Sequence, residues 1–188
     1  MSIINKTFLD FTPVDWAYLS ALESVKTDAE RAYLDAERCI REIGDNTKLD
    51  FSSYHLETVP PLPDHITHLN LTDTMITELP TLPSKLEVLK ITRTRITSIS
   101  SLPSNLQVLY CSQMPLKALP EKLPPTLNVL WCFMTELCEL PELPDKLEHL
   151  SCHTTKITKL PVMPKDILTL ACDEELIPVD LPKHVIVN

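Results

Sequence analysis

Four of the six cysteines, Cys111, Cys132, Cys152 and Cys172, recur at intervals of 20 or 21 residues. Thiolates at a regular spacing can bind a metal ion or form a redox-active series. The alternative is that each cysteine occupies an inward position of a repeated strand and packs as a small apolar side chain. Adjacent parallel strands do not arrange ligands tetrahedrally, and no histidine is predicted to point inward with these cysteines. We therefore favour packing, with no metal and no cofactor.

Cys172 lies in the segment ACDEE and raises a second chemical possibility, that of a nucleophilic cysteine beside acidic residues. The alternation of a strand turns Cys172 inward and its neighbours Asp173 and Glu174 outward. No partner base can be identified, and nucleophilic cysteines need one. We therefore predict no catalytic residue and no enzymatic activity.

Other polar residues allow weaker chemical interpretations. His149 and His153 both alternate outward around Cys152, so a two-histidine metal site is conceivable, although solvated surface histidines are more common. Cys138 falls between predicted strands and could be modified. Asn70 begins an NLT triplet that matches a glycosylation acceptor, but we interpret this segment as part of a strand.

These residues sit in an internal repeat, which must be recognised before any other feature. The unit reads LPxLPxxLxxLx(I/C)xxTx(I/L)xx, and one copy carries an extra residue between Glu121 and Leu123. The first recurring leucine position comprises Leu69, Leu89, Leu109, Leu130, Leu150 and Leu170. The position two residues later comprises Leu71, Ile91, Cys111, Cys132, Cys152 and Cys172. A weaker first copy contains Leu49, Phe51 and Leu56.

The unit is typical of leucine-rich repeats at their shortest period. Each copy predicts a short parallel strand with inward leucines, followed by a turn and an extended return. The chain has 17 prolines and a single glycine, and proline in the returns favours polyproline II conformation over helix. Since one unit cannot bury its own apolar face, stacked units share one core. The predicted fold is a leucine-rich repeat solenoid with a parallel β-sheet on its concave face and extended returns on its convex face.

A threonine recurs three residues after the second inward position, where leucine-rich repeats usually place asparagine to bond the backbone of neighbouring coils. The threonines are Thr74, Thr94, Thr135 and Thr155. A hydroxyl group can perform part of the asparagine's role. Tyr54 and Met114 stand at the same position, so we expect a threonine ladder that is broken at the fourth unit.

An open solenoid end must be covered, and the segment before the first repeat has helical patterns. Thr12 and Thr27 are candidate N-caps, and Gly44 follows the second apolar stripe, where a left-handed residue is favoured. We therefore predict an N-terminal α-helical hairpin cap. The predicted divisions are a flexible N-terminus over 1–11, the two-helix cap over 12–45, about seven repeats over 46–182 and a closing C-terminal strand over 183–188.

Composition narrows the class of partner. The net charge of the 188-residue chain is −9, which argues against nucleic acid because phosphate contact needs a surplus of lysine and arginine. No apolar run reaches the length of a membrane span, and the N-terminus has no pattern of a cleavable signal peptide. The cysteines form no CxxC pair, so a reducing compartment is expected. We also expect no small-molecule substrate.

Large side chains are concentrated in one repeat, although only 5% of the chain is aromatic. Trp131 and Phe133 flank the inward Cys132 and are therefore predicted to point out of the concave sheet. Met134, Tyr110, Lys90, Arg93 and His153 are predicted to lie on the same face or its rim. We interpret these seven residues as a partner-binding surface, since Trp, Tyr and Arg are favoured anchors of interfaces. The alternative is an aromatic pair packed on the sheet for stability.

The helical hairpin followed by LPxLPxxLxxL units resembles the LPX-type leucine-rich repeat effectors of pathogenic bacteria, represented by YopM and the repeat domains of the IpaH and SspH ubiquitin ligases. The resemblance covers about residues 12 to 182. It implies delivery into the cytoplasm of a host cell and binding of a host protein there. Two departures are the threonine at the asparagine position and the lack of a ligase domain after the repeats.

Three functions remain open from the sequence. The first is a non-enzymatic protein-protein interaction module, a secreted bacterial effector or adaptor that binds a host protein through its concave face. The second is the substrate-recognition domain of a longer ubiquitin ligase. The third is a structural repeat protein of a virus or an environmental microbe, with a cytoplasmic location as the alternative to delivery.

Overall fold

The computed structural model describes residues 27–179, 181 and 183–187, which form one α-helix, one parallel sheet and a short 3-10 helix. The elements are α1 (Asp28–Glu42), β1 (Lys48–Asp50), β2 (His68–Asn70), β3 (Val88–Lys90), β4 (Val108–Tyr110), β5 (Val129–Trp131), β6 (His149–Ser151), β7 (Thr169–Ala171), the 3-10 helix (Glu174–Leu176) and β8 (Ile186–Val187). Each strand pairs with the next, in the order β1 to β8. The predicted leucine-rich repeat solenoid is confirmed. We number its seven coils after strands β1 to β7.

The core of the solenoid is built from two columns of inward side chains. The central residue of each strand from β1 to β7 is a buried leucine. The register pairs each of the first six with the leucine of the next coil and pairs Leu170 with Val187. The buried residue two positions later is Phe51, Leu71, Ile91, Cys111, Cys132, Cys152 or Cys172. The leucine pattern alone therefore fixes which side chains face the core, because a strand alternates its faces with a period of two.

The hydrogen-bond ladder continues beyond the three-residue strands. The Cys111 N–H donates to the Trp131 carbonyl at 2.8 Å, and the Gln113 N–H donates to the Phe133 carbonyl at 2.9 Å. Equivalent bonds join the other neighbouring coils from Phe51 through Met134. This ladder fixes the relative position of the outward side chains that stand one and three residues past each leucine.

The threonine column closes each coil on itself. The hydroxyls of Thr74, Thr94 and Thr135 donate to the carbonyl three residues earlier in their own coil, at 2.8 to 3.0 Å. They do not bond the backbone of the next coil, as the asparagine of other repeats does, because the threonine side chain is too short to reach it. The column of threonines is interrupted at the fourth coil, where Met114 is buried, but the predicted bonding of the hydroxyls to the backbone of neighbouring coils is wrong.

Each of coils 1 to 6 turns twice, once after its strand and once before the next strand. After the strand, one residue adopts a left-handed conformation with φ between 53° and 62°; these residues are Ser53, Asp73, Arg93, Gln113, Met134 and Thr154. Before the strand, a proline carbonyl accepts the N–H of the third residue after it, as between Pro103 and Leu106 at 3.1 Å. Proline thus organises the return, while non-glycine residues carry the positive φ that glycine usually supplies.

Helix α1 covers the first coil. Thr27 and Glu30 form a capping box at its start, and Ala32 and Ala36 are buried against the core. Gly44 has a φ of 55°, as expected after a helix end. The first helix of the predicted hairpin and the predicted flexible N-terminus lie outside the described residues.

Candidate concave binding surface

The register places two columns of side chains outward on the concave face. The first column holds the last residue of each strand: Asp50, Asn70, Lys90, Tyr110, Trp131, Ser151 and Ala171. The second column lies two residues further along each coil: Ser52, Thr72, Thr92, Ser112, Phe133, His153 and Asp173. Large side chains cluster in the middle of both columns, on coils 4 to 6.

Tyr110 and Trp131 form the first aromatic stack. They are register partners on β4 and β5, and their ring centroids lie 4.5 Å apart with 33° between the planes. The Trp131 residue remains 42% exposed although it packs against Tyr110. The pair therefore stands on the sheet with a large accessible apolar surface, as the sequence register predicts.

Phe133 and His153 form the second aromatic stack, one column over and one coil further. Their centroids lie 4.8 Å apart with 11° between the planes. The His153 Nδ1 also lies 3.1 Å from the Thr154 hydroxyl. We call the four residues of the two stacks, Tyr110, Trp131, Phe133 and His153, the aromatic ridge. The ridge crosses three strands.

Lys90 extends the first stack toward the N-terminal coils. Its Nζ lies 5.6 Å from the centroid of the Tyr110 ring, within the range of a cation–π interaction. It is also the register partner of Tyr110. The ridge thus has a positively charged group at its β3 end.

Arg93 and Met134 lie on the rim at the left-handed positions of their coils. The Arg93 guanidinium makes two hydrogen bonds to the Asp73 carboxylate of the preceding coil. These bonds lower the pKa of the Asp73 carboxyl. Arg93 is therefore neutralised by a neighbour within the protein, whereas Met134 is 49% exposed beside the ridge.

Three residues of this surface were not singled out from the sequence. Val108 and Val129 are half-buried at the first position of their strands, beside the ridge. The alternation of a strand predicts that both point outward, because each directly precedes an inward leucine. Ser112 is only 1% exposed although it points outward, and its hydroxyl has no hydrogen-bond partner among the described residues. No sequence signal marks that burial, because it depends on the packing of neighbouring side chains.

The end of the ridge opposite Lys90 is negatively charged. Asp173 follows His153 in the second column, and Glu174 is exposed next to it. The Asp173 carboxylate accepts the Thr154 N–H. The ridge is therefore flanked by a cation on β3 and by carboxylates after β7.

The cysteine column has the environment of a core and not that of a reactive site. Burial raises the pKa of Cys111 to about 12, and burial with the nearby Cys172 and Asp173 raises the pKa of Cys152 to about 12. The pKa of Cys132 is also raised by burial. Cys172 is 7% exposed. Its burial raises the pKa of its thiol, and the charge of Asp173 raises it further. These surroundings disfavour the thiolate that nucleophilic or metal-bound cysteines require.

The histidines considered as metal ligands have other partners. The Nδ1 of His149 lies 2.8 Å from the Thr169 hydroxyl, and the His153 ring is stacked on Phe133. Within the described part of the chain, no group of three or more His, Cys, Asp or Glu side chains is arranged to hold a metal ion. Cys138 is exposed. Asn70 forms the end of β2, as interpreted from the sequence.

A groove of about 700 Å³ lies on the convex side between coils 2 and 3. Ile99, which lines the groove, donates its N–H to the Ala118 carbonyl of coil 4 at 3.0 Å. Its lining contains five serines and no aromatic ring. The concave face therefore offers the stronger anchors for a macromolecular partner.

The fold and its exposed concave surface define the class of the protein as a leucine-rich repeat solenoid. A comparison with models of protein families finds no match, and a comparison with curated proteins finds none. YopM from Yersinia enterocolitica WA-314 shares the fold with a TM-score of 0.70 at 30% identity, over 76% of this chain and 32% of that chain. This chain thus spans well under two thirds of that YopM.

Two further solved structures extend the similarity at lower identity. A Shigella effector leucine-rich repeat domain has a TM-score of 0.69 at 23% identity, over 89% of this chain and 85% of that chain. YopM from Yersinia pestis, described as a leucine-rich effector protein, has a TM-score of 0.69 at 21% identity, over 89% of this chain and 55% of that chain. The chain is a leucine-rich repeat domain similar to those of YopM and the Shigella effector, which confirms the resemblance found in the sequence.

Proposed function

We propose that this chain is a non-enzymatic protein-binding module that engages a host protein through its concave face, as a secreted bacterial effector or adaptor. In this proposal the protein acts in the cytoplasm of the host cell. The seven residues Tyr110, Trp131, Phe133, Met134, His153, Lys90 and Arg93 form the binding surface.

The observation that carries the proposal is the exposure of the Tyr110–Trp131 stack. A large aromatic ring on a soluble surface leaves apolar area in water, and contiguous patches of this kind mark interaction sites. Trp and Tyr bury much area on binding and lose little side-chain entropy. Because Arg93 forms an ion pair with Asp73, it contributes less to the binding of a charged partner.

Two further findings support a binding role. The Shigella and Yersinia pestis structures are described as effectors. Repeat proteins of this class bind their partners through extended concave surfaces. The buried, high-pKa cysteines argue against catalysis by a thiol.

Among residues 27–179, 181 and 183–187, no helix has the length and apolar character required to cross a bilayer.

A second candidate is the substrate-recognition domain of a longer ubiquitin ligase. The observation in its favour is that the Shigella structure, of which this chain covers 85%, is itself one domain of an effector. In that case the same concave face would bind the substrate. The reading frame that encodes this chain distinguishes the two candidates, because a following helical domain is expected only for the ligase.

The test is capture of proteins from a host-cell lysate by three forms of the immobilised chain, followed by mass spectrometry. The forms are the wild type, the Trp131→Ala/Phe133→Ala double variant and a Val162→Ala/Val179→Ala control, whose valines are exposed away from the sheet. We expect a protein that the wild type and the control retain and the aromatic variant loses. Equal retention by all three forms, at unchanged stability, would refute binding through the ridge.

A further inference from the structure

The outward columns carry an ordered charge pattern as well as rings. From β3 to β7 the sequence of groups is the Lys90 ammonium, the Tyr110–Trp131 stack, the Phe133–His153 stack and the Asp173 carboxylate. The pattern runs across the strands and shifts by one column between Trp131 and Phe133. It is therefore a diagonal line that is positive at one end, aromatic in the middle and negative at the other.

The length of this line fits a short extended segment. Parallel strands lie about 4.8 Å apart and residues two apart on a strand about 6.7 Å apart, so four strand spacings and one column shift span about 20 Å. An extended or polyproline II segment advances about 3.1–3.4 Å per residue and covers that distance with about six residues. A helix would need about 13 residues and a width of about 10 Å, more than the two columns that carry the pattern.

We infer that the partner presents an extended segment of about six residues, with an acidic residue over Lys90, a basic residue over Asp173 and proline or aromatic rings between them. The inference rests on the proposed function and specifies the chemistry of its partner. Charge complementarity fixes the direction in which the segment lies. Exposed aromatic rings favour proline and aromatic side chains in a partner. These side chains pack against the rings and lose little conformational entropy.

Arg93 does not alter this assignment. Its guanidinium is bonded to Asp73, so the pair contributes little net charge at the rim. Lys156, which lies on the return of coil 6 nearer the negative end, is likewise paired with Glu136 at 3.2 Å. In coils 3 to 7, Lys90 and Asp173 therefore remain the charges in the two columns that carry the aromatic ridge, and Asp50 lies two coils beyond Lys90 in the first column.

Selection from a displayed library of random seven-residue peptides tests the inference. The full chain is used in four forms: wild type, Lys90→Glu, Trp131→Ala/Phe133→Ala, and a Lys117→Glu control with the same charge change on an exposed return. The wild type and the control are expected to enrich peptides with an acidic and a basic residue four to six positions apart, in one fixed order. Lys90→Glu is expected to lose the acidic preference and to bind a wild-type-selected peptide about tenfold more weakly.

Several outcomes would overturn the inference. These are enriched peptides without the charge order, the same order for Lys90→Glu as for the wild type, or no enrichment over the aromatic variant. A wild-type dimer in sedimentation that dissociates in the aromatic variant would also overturn it, by placing a second copy on the ridge. If the lysate capture still depends on the aromatic residues, only the extended-segment inference fails; if that dependence is lost too, the proposed function fails with it.

Discussion

The carboxylate of Asp173 accepts the N–H of Thr154 through both oxygens, at 2.9 and 3.1 Å. In every preceding coil a backbone carbonyl accepts the equivalent N–H, as the His153 carbonyl does for Met134 at 3.0 Å. A side chain thus replaces the main chain where coil 7 enters the 3-10 helix. The substitution satisfies an amide that the regular ladder would otherwise leave without a partner.

The first prediction is that Asp173→Ala lowers the free energy of unfolding by about 1–2 kcal/mol, because a hydrogen bond to a charged group is lost. Chemical denaturation measures the change. Glu175→Ala is the matched control, since it removes the same charge from an exposed position nearby, and it should change stability by less than about 0.5 kcal/mol. Equal effects of the two substitutions would mean that net charge, not the bond to Thr154, is responsible.

The second prediction concerns whether the aromatic residues support the fold. Because Trp131 is 42% exposed, Trp131→Ala/Phe133→Ala should lower the melting temperature far less than Leu130→Ala. Leu130 directly precedes Trp131 and is fully buried, and truncation of a buried leucine costs about 2–5 kcal/mol. Thermal melts of the three proteins give the comparison. A larger loss for the aromatic pair than for Leu130 would make the ridge a packing feature.

The third prediction is that Cys152→Ser destabilises the protein by about 1–3 kcal/mol, because it introduces a hydroxyl into an apolar column. Cys152 is fully buried, whereas Cys138 is exposed. Cys138→Ser is therefore the control and should be near neutral. If both variants melt like the wild type while a bound metal or an activity is lost from Cys152→Ser, the packing assignment of the cysteine column is wrong.

The fourth prediction is that only two of the six cysteines react with a thiol reagent at pH 8. Cys39 and Cys138 are exposed, and the other four are buried. Since burial raises the pKa of Cys111 and Cys152 to about 12, these thiols stay protonated and unreactive until the pH approaches that value or the chain unfolds. Counting labels by mass spectrometry in buffer and in denaturant checks this. Rapid labelling of a third cysteine in buffer would contradict it.

The fifth prediction follows from the left-handed backbone of Gln113, which has a φ of 55° and an exposed side chain. Gln113→Val should lower stability by about 1 kcal/mol, because branched side chains are strained at positive φ. Gln113→Gly should not lower it, since glycine adopts this conformation freely. Denaturation midpoints of the two variants provide the test. The same ranking should be absent at Lys117, on an exposed return.

The sequence predicts the solenoid well because two regularities, the period of the repeat and the alternation of a strand, act on every coil. They place Leu130 inward and Trp131 outward without knowledge of any neighbour. The Asp73–Arg93 ion pair and the burial of the Ser112 hydroxyl arise between coils, where side chains of unrelated type meet. Nothing in a single repeat encodes these contacts.

The left-handed position escaped prediction for a related reason. Sequence signals for positive φ rely on glycine or asparagine, and here the residues include Arg93, Met134 and Thr154. The inter-coil bonds on either side of each turn hold the backbone in place whatever the residue. The threonine hydroxyls were expected to bond the backbone of neighbouring coils, but they donate to a backbone carbonyl of their own turn.

The backbone bonds between coils join residues that lie 19 to 22 positions apart, in the ladder from Phe51 to Ala171. Ordering of one coil therefore requires only its neighbour, and structure can spread along the chain in small steps. Disruption should likewise begin at an end, where β8 has two exposed residues and one neighbouring strand. Amide hydrogens should consequently exchange with solvent in a gradient, slowest for Cys111 and Cys132 in the central coils and fastest for Ile186 at the edge.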